Sequence, residues 1–548
     1  MLSRKWLLLA AVVLIAPAAL ADVKVHPIFS DNMVLQRDKP ITVWGTADDG
    51  EEVSVSLSEG GRGAITMPAT VKDGKWQMNL PAQKAMTGLV LTVKGKNTVE
   101  FKNVAVGDVW LCSGQSNMEW KLNQLNKDDP AKGVTKDQGK NVAARAANKN
   151  IRLFTVPNKP MFEPQAAFAV TATEGKWFEC DEKSVFNFSA IGYFFGRDIQ
   201  ATQNVPVGLI AADWGGTICE AWASKEALDA VPELKYFHAD LAKKIAAAEP
   251  TKAEADFKAA TEKYTTDHAK WKEEADKAKA DGKTPPPEPK KPVKAAMPGG
   301  PNQPSVLFNG MIAPIVQFKI KGAIWYQGES NAGRAAEYYT LFPTMIQDWR
   351  KRWGYDFPFF AVQLAPFRAD GSDKVSYAEL RDAQFAASKK LKGVGYATLS
   401  DVGNETDIHP QAKEPVGKRL ALAARAIAYG EKVEWSGPTY KGLRGKTDPK
   451  AGASEFTLFF DHVGKGLTCT GDKLEGFTAC GEDKVFHPAT ATIDGDTVKV
   501  TCDKVKAIVA VRYGWVNFAK PDLNFANKDG LPAVPFRTDD FPLTTIRK

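Results

Sequence analysis

Four turns of this 548-residue chain carry side chains that could do chemistry, and each directly follows an apolar run. Ser113-Gly114-Gln115-Ser116-Asn117-Met118 follows residues 106–112, and Asp213-Trp214-Gly215-Gly216-Thr217 follows residues 207–212. Tyr326-Gln327-Gly328-Glu329-Ser330-Asn331 closes the run 323–326, while Asp401 and then Asp407-Ile408-His409-Pro410 come after residues 395–399. A hydroxyl, paired glycines, an amide beside a carboxylate and an imidazole are together what acyl transfer needs: a nucleophile, a base for its proton, and donors for the oxyanion. His409 is the one histidine of six at the end of such a run. His26 stands in a leading β-segment, His238 and His268 in a helical insertion, and His462 and His487 in a C-terminal β-region. Ser116 follows a glycine-containing turn and is the candidate nucleophile. Its rivals are weaker, because Ser113 lies nearer the buried run and Ser330 follows a carboxylate without a base partner.

Missing motifs narrow the chemistry. Neither G-x-S-x-G nor S-x-x-K occurs, which disfavours an α/β-hydrolase elbow and a Ser-Lys pair. A P-loop and a dinucleotide fingerprint are also lacking, as are C-x-x-C and H-E-x-x-H spacings, so no metal and no organic cofactor is expected.

For the four turns to converge, the runs before them must be neighbouring parallel strands, since open α/β sheets bind ligands beyond the carboxyl ends of their strands. Five strands are expected at residues 106–112, 207–212, 323–326, 359–364 and 395–399, with helices at 191–201, 337–353 and 414–429. Apolar strands alternating with amphipathic helices predict an α/β core with a parallel sheet covered on both faces, over residues 105–434. Residues 22–104 read instead as short alternating runs between Gly- and Asp-rich turns, a small antiparallel β-domain. From 435 to 548 helical periodicity ends and a second β-rich region is expected. An insertion at about 235–304 interrupts the core. Phe257, Tyr264, His268, Trp271 and Ala275 recur there at helical spacing and predict an amphipathic helix with one buried stripe, followed by a proline-rich strap over 284–304.

Composition sets the class of molecule. With 44% hydrophobic and 25% charged residues the chain is an ordinary globular one, and a formal charge of +7 spread along it gives no basic arm, so nucleic acid is not the expected partner. Arg4 and Lys5, an apolar run and Ala19-Leu20-Ala21 predict a cleaved signal peptide over 1–21. The protein is therefore expected to be exported, periplasmic or secreted, with no membrane span. Export permits disulfides among the six cysteines, and Cys469 with Cys480, flanking a Gly-rich stretch, is the expected pair.

Five ordered motifs carry a resemblance. They are M-V-L-Q-R at 33–37, V-W-L-C-S-G-Q-S-N-M-E-W at 109–120, W-G-G-T at 214–217, W-Y-Q-G-E-S-N at 325–331 and D-I-H-P at 407–410. Together they resemble the SGNH hydrolases, and within them the sialate O-acetylesterase-like carbohydrate esterases. The resemblance implies a flavodoxin-like parallel-sheet core flanked by N- and C-terminal regions of β-sandwich type. It also implies a serine esterase acting on sugar acetyl esters, either acetylated sialic acid or an acetylated plant polysaccharide such as xyloglucan or xylan. Carried over to this chain, Ser116 is the nucleophile and His409 the general base. The oxyanion donors are the amide of Ser116, that of Gly216 or its neighbour Gly215, and a side chain that is either Gln327 or Asn331. The acid is open between Asp407 and Glu329. The usual Asp-x-x-His spacing would place it at Thr406, and adjacency favours Asp407; a dyad oriented by a backbone carbonyl is the third option. Trp214, Trp325 and Asn117 adjoin the motifs as candidate sugar contacts. A carbohydrate-binding protein with a degenerate core would lack the serine or the histidine, and both are present. A lipase-like site would want an apolar acyl pocket, against which the Trp- and Asn-rich surroundings of Ser116 argue.

Overall fold

A computed structural model describes residues 22–547 apart from 61, 248–249, 282–284, 293–299, 369–373 and 448–453. The expected signal peptide at 1–21 lies outside the described residues. The central sheet holds β1 (Thr98–Gly114), β2 (Asn148–Thr155), β3 (Trp177–Cys180), β4 (Val207–Asp213), β5 (Gly322–Tyr326), β6 (Phe359–Val362) and β7 (Val394–Ala397). Their spatial order is β3-β2-β4-β1-β5-β6-β7, parallel throughout except for β3. The five expected strands thus stand in the order 2-1-3-4-5, and two strands the sequence did not reveal extend the sheet beyond the second.

Helices pack on or follow the strands of this sheet, and one lies in the insertion. They are α1 (Ser116–Glu119), α2 (Ala190–Gln203), α3 (Pro250–Ala280) in the insertion, α4 (Ala335–Trp353), α5 (Ser376–Lys390) and α6 (Lys413–Ile427). α2 packs on α6 and α4 on α5. Every residue of β4, β5, β6 and β7 is buried, which explains why their sequences read as unbroken apolar runs.

β1 ties the core to the N-terminal β-region. Its first half pairs antiparallel with Met86–Lys94 and its last residues pair parallel with β4 and β5, so one strand runs through the point where the sequence changes texture. One hydrophobic core accordingly continues from Val23 to Ala424. Within it Asp108 of β1 is wholly buried and takes a bidentate pair of hydrogen bonds from Arg37, both 2.9 Å, plus one from the Tyr429 hydroxyl at 2.9 Å. Arg37→Ala would leave that carboxylate buried without its counter-ion, held only by Tyr429 and Gln36, and a stability loss of about 3 kcal/mol is expected from denaturant unfolding. Residues from Thr439 onward form small antiparallel sheets around a separate core that includes Phe456, Phe477, Tyr513, Phe525 and Phe536.

Two expectations need correction. All six cysteines are free thiols: Cys469 pairs in a two-stranded sheet with Phe525–Asn527, whereas Cys480 lies in another sheet beside Ala510–Tyr513, so the two do not face each other across a hairpin. The stripe of α3 is only partly covered. Ala275 is buried, but Phe257, Tyr264, His268 and Trp271 are half-buried, and the strap touches the helix through the Trp271 indole donating to Pro286 O at 2.8 Å. No helix among the described residues is long and apolar enough to cross a membrane.

Candidate active site

Register brings the turns to one rim. Gly114 at the end of β1 stands opposite Asp213 of β4 on one side and Tyr326 of β5 on the other. Here the chain leaves the sheet in different directions, the position where open α/β sheets form their crevice. Gly114 has φ +139, and a Cβ there would lie 2.1 Å from Tyr326 O, so no other residue fits the turn that delivers Ser116.

Ser116 Oγ and His409 Nε2 lie 2.8 Å apart. With the imidazole protonated on Nδ1, the serine hydroxyl donates to Nε2. The His409 ring stacks on Trp120, centroids 4.5 Å apart and 19° from parallel, which fixes its plane. The rivals are placed elsewhere: Ser113 is buried with its hydroxyl on Ala212 O at 2.5 Å, and Ser330 is exposed.

Two carboxylates approach the imidazole differently. Asp407 Oδ1 is 3.9 Å from His409 Nδ1 and accepts the His409 backbone amide at 2.9 Å, while Lys127 holds its Oδ2 at 2.9 Å. Burial raises the Asp407 pKa, but that amide and Lys127 outweigh it and hold it below the usual value. Glu329 faces Asn117 instead, accepting its amide at 2.6 Å, and its other oxygen is buried without a partner. Burial raises the Glu329 pKa. The His409 pKa is lowered, chiefly by burial and then by the charge of Lys413, against the pull of Asp407.

The remaining candidates separate cleanly. Gly215 donates its amide to Glu119 Oε2 at 2.7 Å, whereas Gly216 is exposed, has φ +73, and has open space where a side chain would be. Gln327 is wholly buried, its amide nitrogen donating to Thr217 O and Asn331 Oδ1. Asn331 is buried too and donates to Glu220. Gln327 is therefore an interior strut with both amide hydrogens used, and Asn331 is a buried strut turned toward Glu220. Trp325 is also no sugar contact, since it is enclosed among Trp222, Trp349, Phe342 and Phe359 with its indole N–H on Tyr338. Asn117 is buried and bonded to Glu329, Ile408 O and Lys413. Trp214 is half-buried at the rim.

A further Ser-His-Asp chain is formed by Ser305, His238 and Asp229. His238 Nδ1 is 2.9 Å from Asp229 and its Nε2 is 3.2 Å from Ser305 Oγ. Ser305 is only 2% exposed, so an ester cannot reach it. Ser305→Ala is expected to leave aryl acetate turnover unchanged and to cost about 1 kcal/mol of stability for the lost hydrogen bond.

Comparisons with known proteins agree with one another. The family model for carbohydrate esterases described as sialic acid-specific acetylesterases matches residues 302–426, a segment that includes Glu329, Asp407 and His409. The chain is 27% identical to the sialate O-acetylesterase of Mus musculus over 93% of each chain, and 26% identical to that of Homo sapiens over 92% of this chain and 91% of the other. A crystal structure of a carbohydrate acetylesterase from Xanthomonas citri is 34% identical, superposes with a TM-score of 0.75, and is matched over 95% of this chain and 100% of the other. These likenesses make the protein a carbohydrate esterase. Within that class, the chain belongs to the sialate O-acetylesterase-like family.

Proposed function

We propose that the protein removes O-acetyl groups from carbohydrates through an acyl-enzyme formed on Ser116, on a core of the SGNH type. The observation that carries this reading is the 2.8 Å contact between Ser116 and His409 on the sheet rim. Ser116 Oγ attacks the acetyl carbonyl as its proton passes to His409 Nε2. The tetrahedral oxyanion takes hydrogen bonds from the backbone amides of Ser116 and Gly216. His409 then returns the proton to the departing sugar hydroxyl, and a water activated by the same nitrogen releases acetate and regenerates the serine. Asp407 is the acid that orients and stabilises the imidazolium. Its 3.9 Å spacing is of the loose kind that unliganded sites show before they tighten around substrate. Trp214 offers its half-buried face to the sugar. The signal-peptide pattern of residues 1–21 supports export, to the periplasm or beyond.

Two substrate groups suit this chemistry, acetylated sialic acids and acetylated plant polysaccharides such as xylan and xyloglucan. Acetate release from a panel containing all three, with wild type beside Ser116→Ala, tests the reading. Release by the wild type alone from at least one glycan is expected. Equal release by both proteins would move the nucleophile elsewhere.

A further inference from the structure

We propose that Lys413 is a positioning residue that sets the basicity of His409, its ammonium held inside the protein between Trp120 and Tyr326 and hydrogen-bonded to Asn117. The inference rests on the Ser116–His409 reading and adds to it a group that touches neither substrate nor nucleophile.

Lys413 is out of place by every local rule. It is the first residue of α6, where the helix dipole disfavours a cation, and its side chain is wholly buried. No carboxylate forms an ion pair with it among the described residues. What receives it is Asn117 Oδ1, together with the faces of Trp120 and Tyr326 at 5.7 and 5.8 Å. A buried amine in such a place needs a reason, and its neighbours supply one.

Asn117 follows the nucleophile directly. With its oxygen turned to Lys413, its NH2 must point the other way, and it donates to Glu329 Oε1 at 2.6 Å and to Ile408 O at 3.0 Å. Lys413 thereby fixes the carbonyl preceding His409. It also packs on the same indole that stacks against the imidazole. A positive charge on the far side of that shared indole opposes the imidazolium that forms whenever His409 takes the serine proton.

The surrounding charges define the balance. His409 faces Asp407 on its own loop, Lys127 beyond that carboxylate, and Lys413 from α6. Lys413 faces Glu329 from the turn after β5, Asp407, and the buried Tyr326 phenol. Burial lowers the Lys413 pKa to about 7, with Glu329 and Asp407 resisting. Below that pH the ammonium holds His409 neutral and ready as a base. Above it, loss of the charge lets the imidazole become more basic.

The test is the pH dependence of kcat/KM for an aryl acetate in wild type, Lys413→Met and Lys413→Arg, with an NMR titration of the His409 ring proton. The neutral methionine should raise the His409 pKa and move the acid limb to higher pH by about one unit. Arginine keeps the charge and should leave the limb in place even where the rate falls. A role confined to packing would lower the rate without moving the limb. Coincident kinetic limbs together with coincident NMR titrations for Met and wild type, or equal shifts for Met and Arg, would overturn the proposal. If Lys413→Met does not fold, the wild-type titration decides: a second inflection near Lys413's own pKa is expected, and a single inflection refutes it. A shifted NMR titration with an unmoved kinetic limb would instead unseat His409 as the base while leaving the Lys413 influence standing.

Discussion

Ser116→Ala is expected to lower kcat for acetyl ester hydrolysis by roughly 10⁴-fold or more, and His409→Ala by a comparable factor. In the proposed mechanism both residues act in one step, since Ser116 Oγ and His409 Nε2 lie 2.8 Å apart and the serine proton would pass to that nitrogen. The double variant should therefore be no worse than either single one, which is the signature of groups that work as a unit. Neither change should unfold the protein. Both side chains are half-exposed on the rim, and truncation leaves no large cavity and no stranded buried charge. A serine-directed phosphonate should label wild type at Ser116 and fail to label Ser116→Ala. Labelling at Ser113, Ser330 or Ser305, or turnover by the alanine variants near the wild-type rate, would refute the assignment.

The sequence could show which turns meet at one rim more readily than what surrounds them. Ser116 and His409 were legible as candidates because each follows an apolar run, and register alone then carries such positions to a common edge. β4 through β7 were legible for a related reason, since strands buried on both faces leave no polar alternation to confuse them. β2 was not legible. Asn148, Lys149, Asn150 and Arg152 interrupt its apolar run, and only the fold shows that Arg152 is buried against Glu179. The burial of Trp325, Gln327 and Asn331 was not legible, because adjacency to a motif does not tell which way a side chain points. In β5 and its turn these residues face the interior, where they join Tyr338, Thr217 and Glu220. Lys413 stands outside all five motifs, so nothing in the sequence analysis singles it out. The clue the fold adds is electrical, a cation at the end of a helix that prefers anions.

Asp407→Asn should slow acylation by about 100-fold, close to 2.7 kcal/mol of transition-state stabilisation. A full Ser-His-Asp triad loses about 10⁴-fold on this change. The smaller figure follows from geometry, because Asp407 lies 3.9 Å from Nδ1 and already shares its charge with Lys127. Asparagine can still accept the His409 backbone amide, so the loop should hold and the loss should appear in the acylation rate of a burst experiment instead of in stability. The sign of the pH effect is also fixed. Asp407 raises the His409 pKa, so its neutralisation should move the acid limb to lower pH, opposite to the shift expected for Lys413→Met. Glu329→Gln should cost less than about tenfold, since its carboxylate meets Asn117 and not the imidazole. A large loss in Glu329→Gln with little change in Asp407→Asn would reverse the assignment. Equal and modest effects would leave His409 oriented by backbone and by the Trp120 face alone.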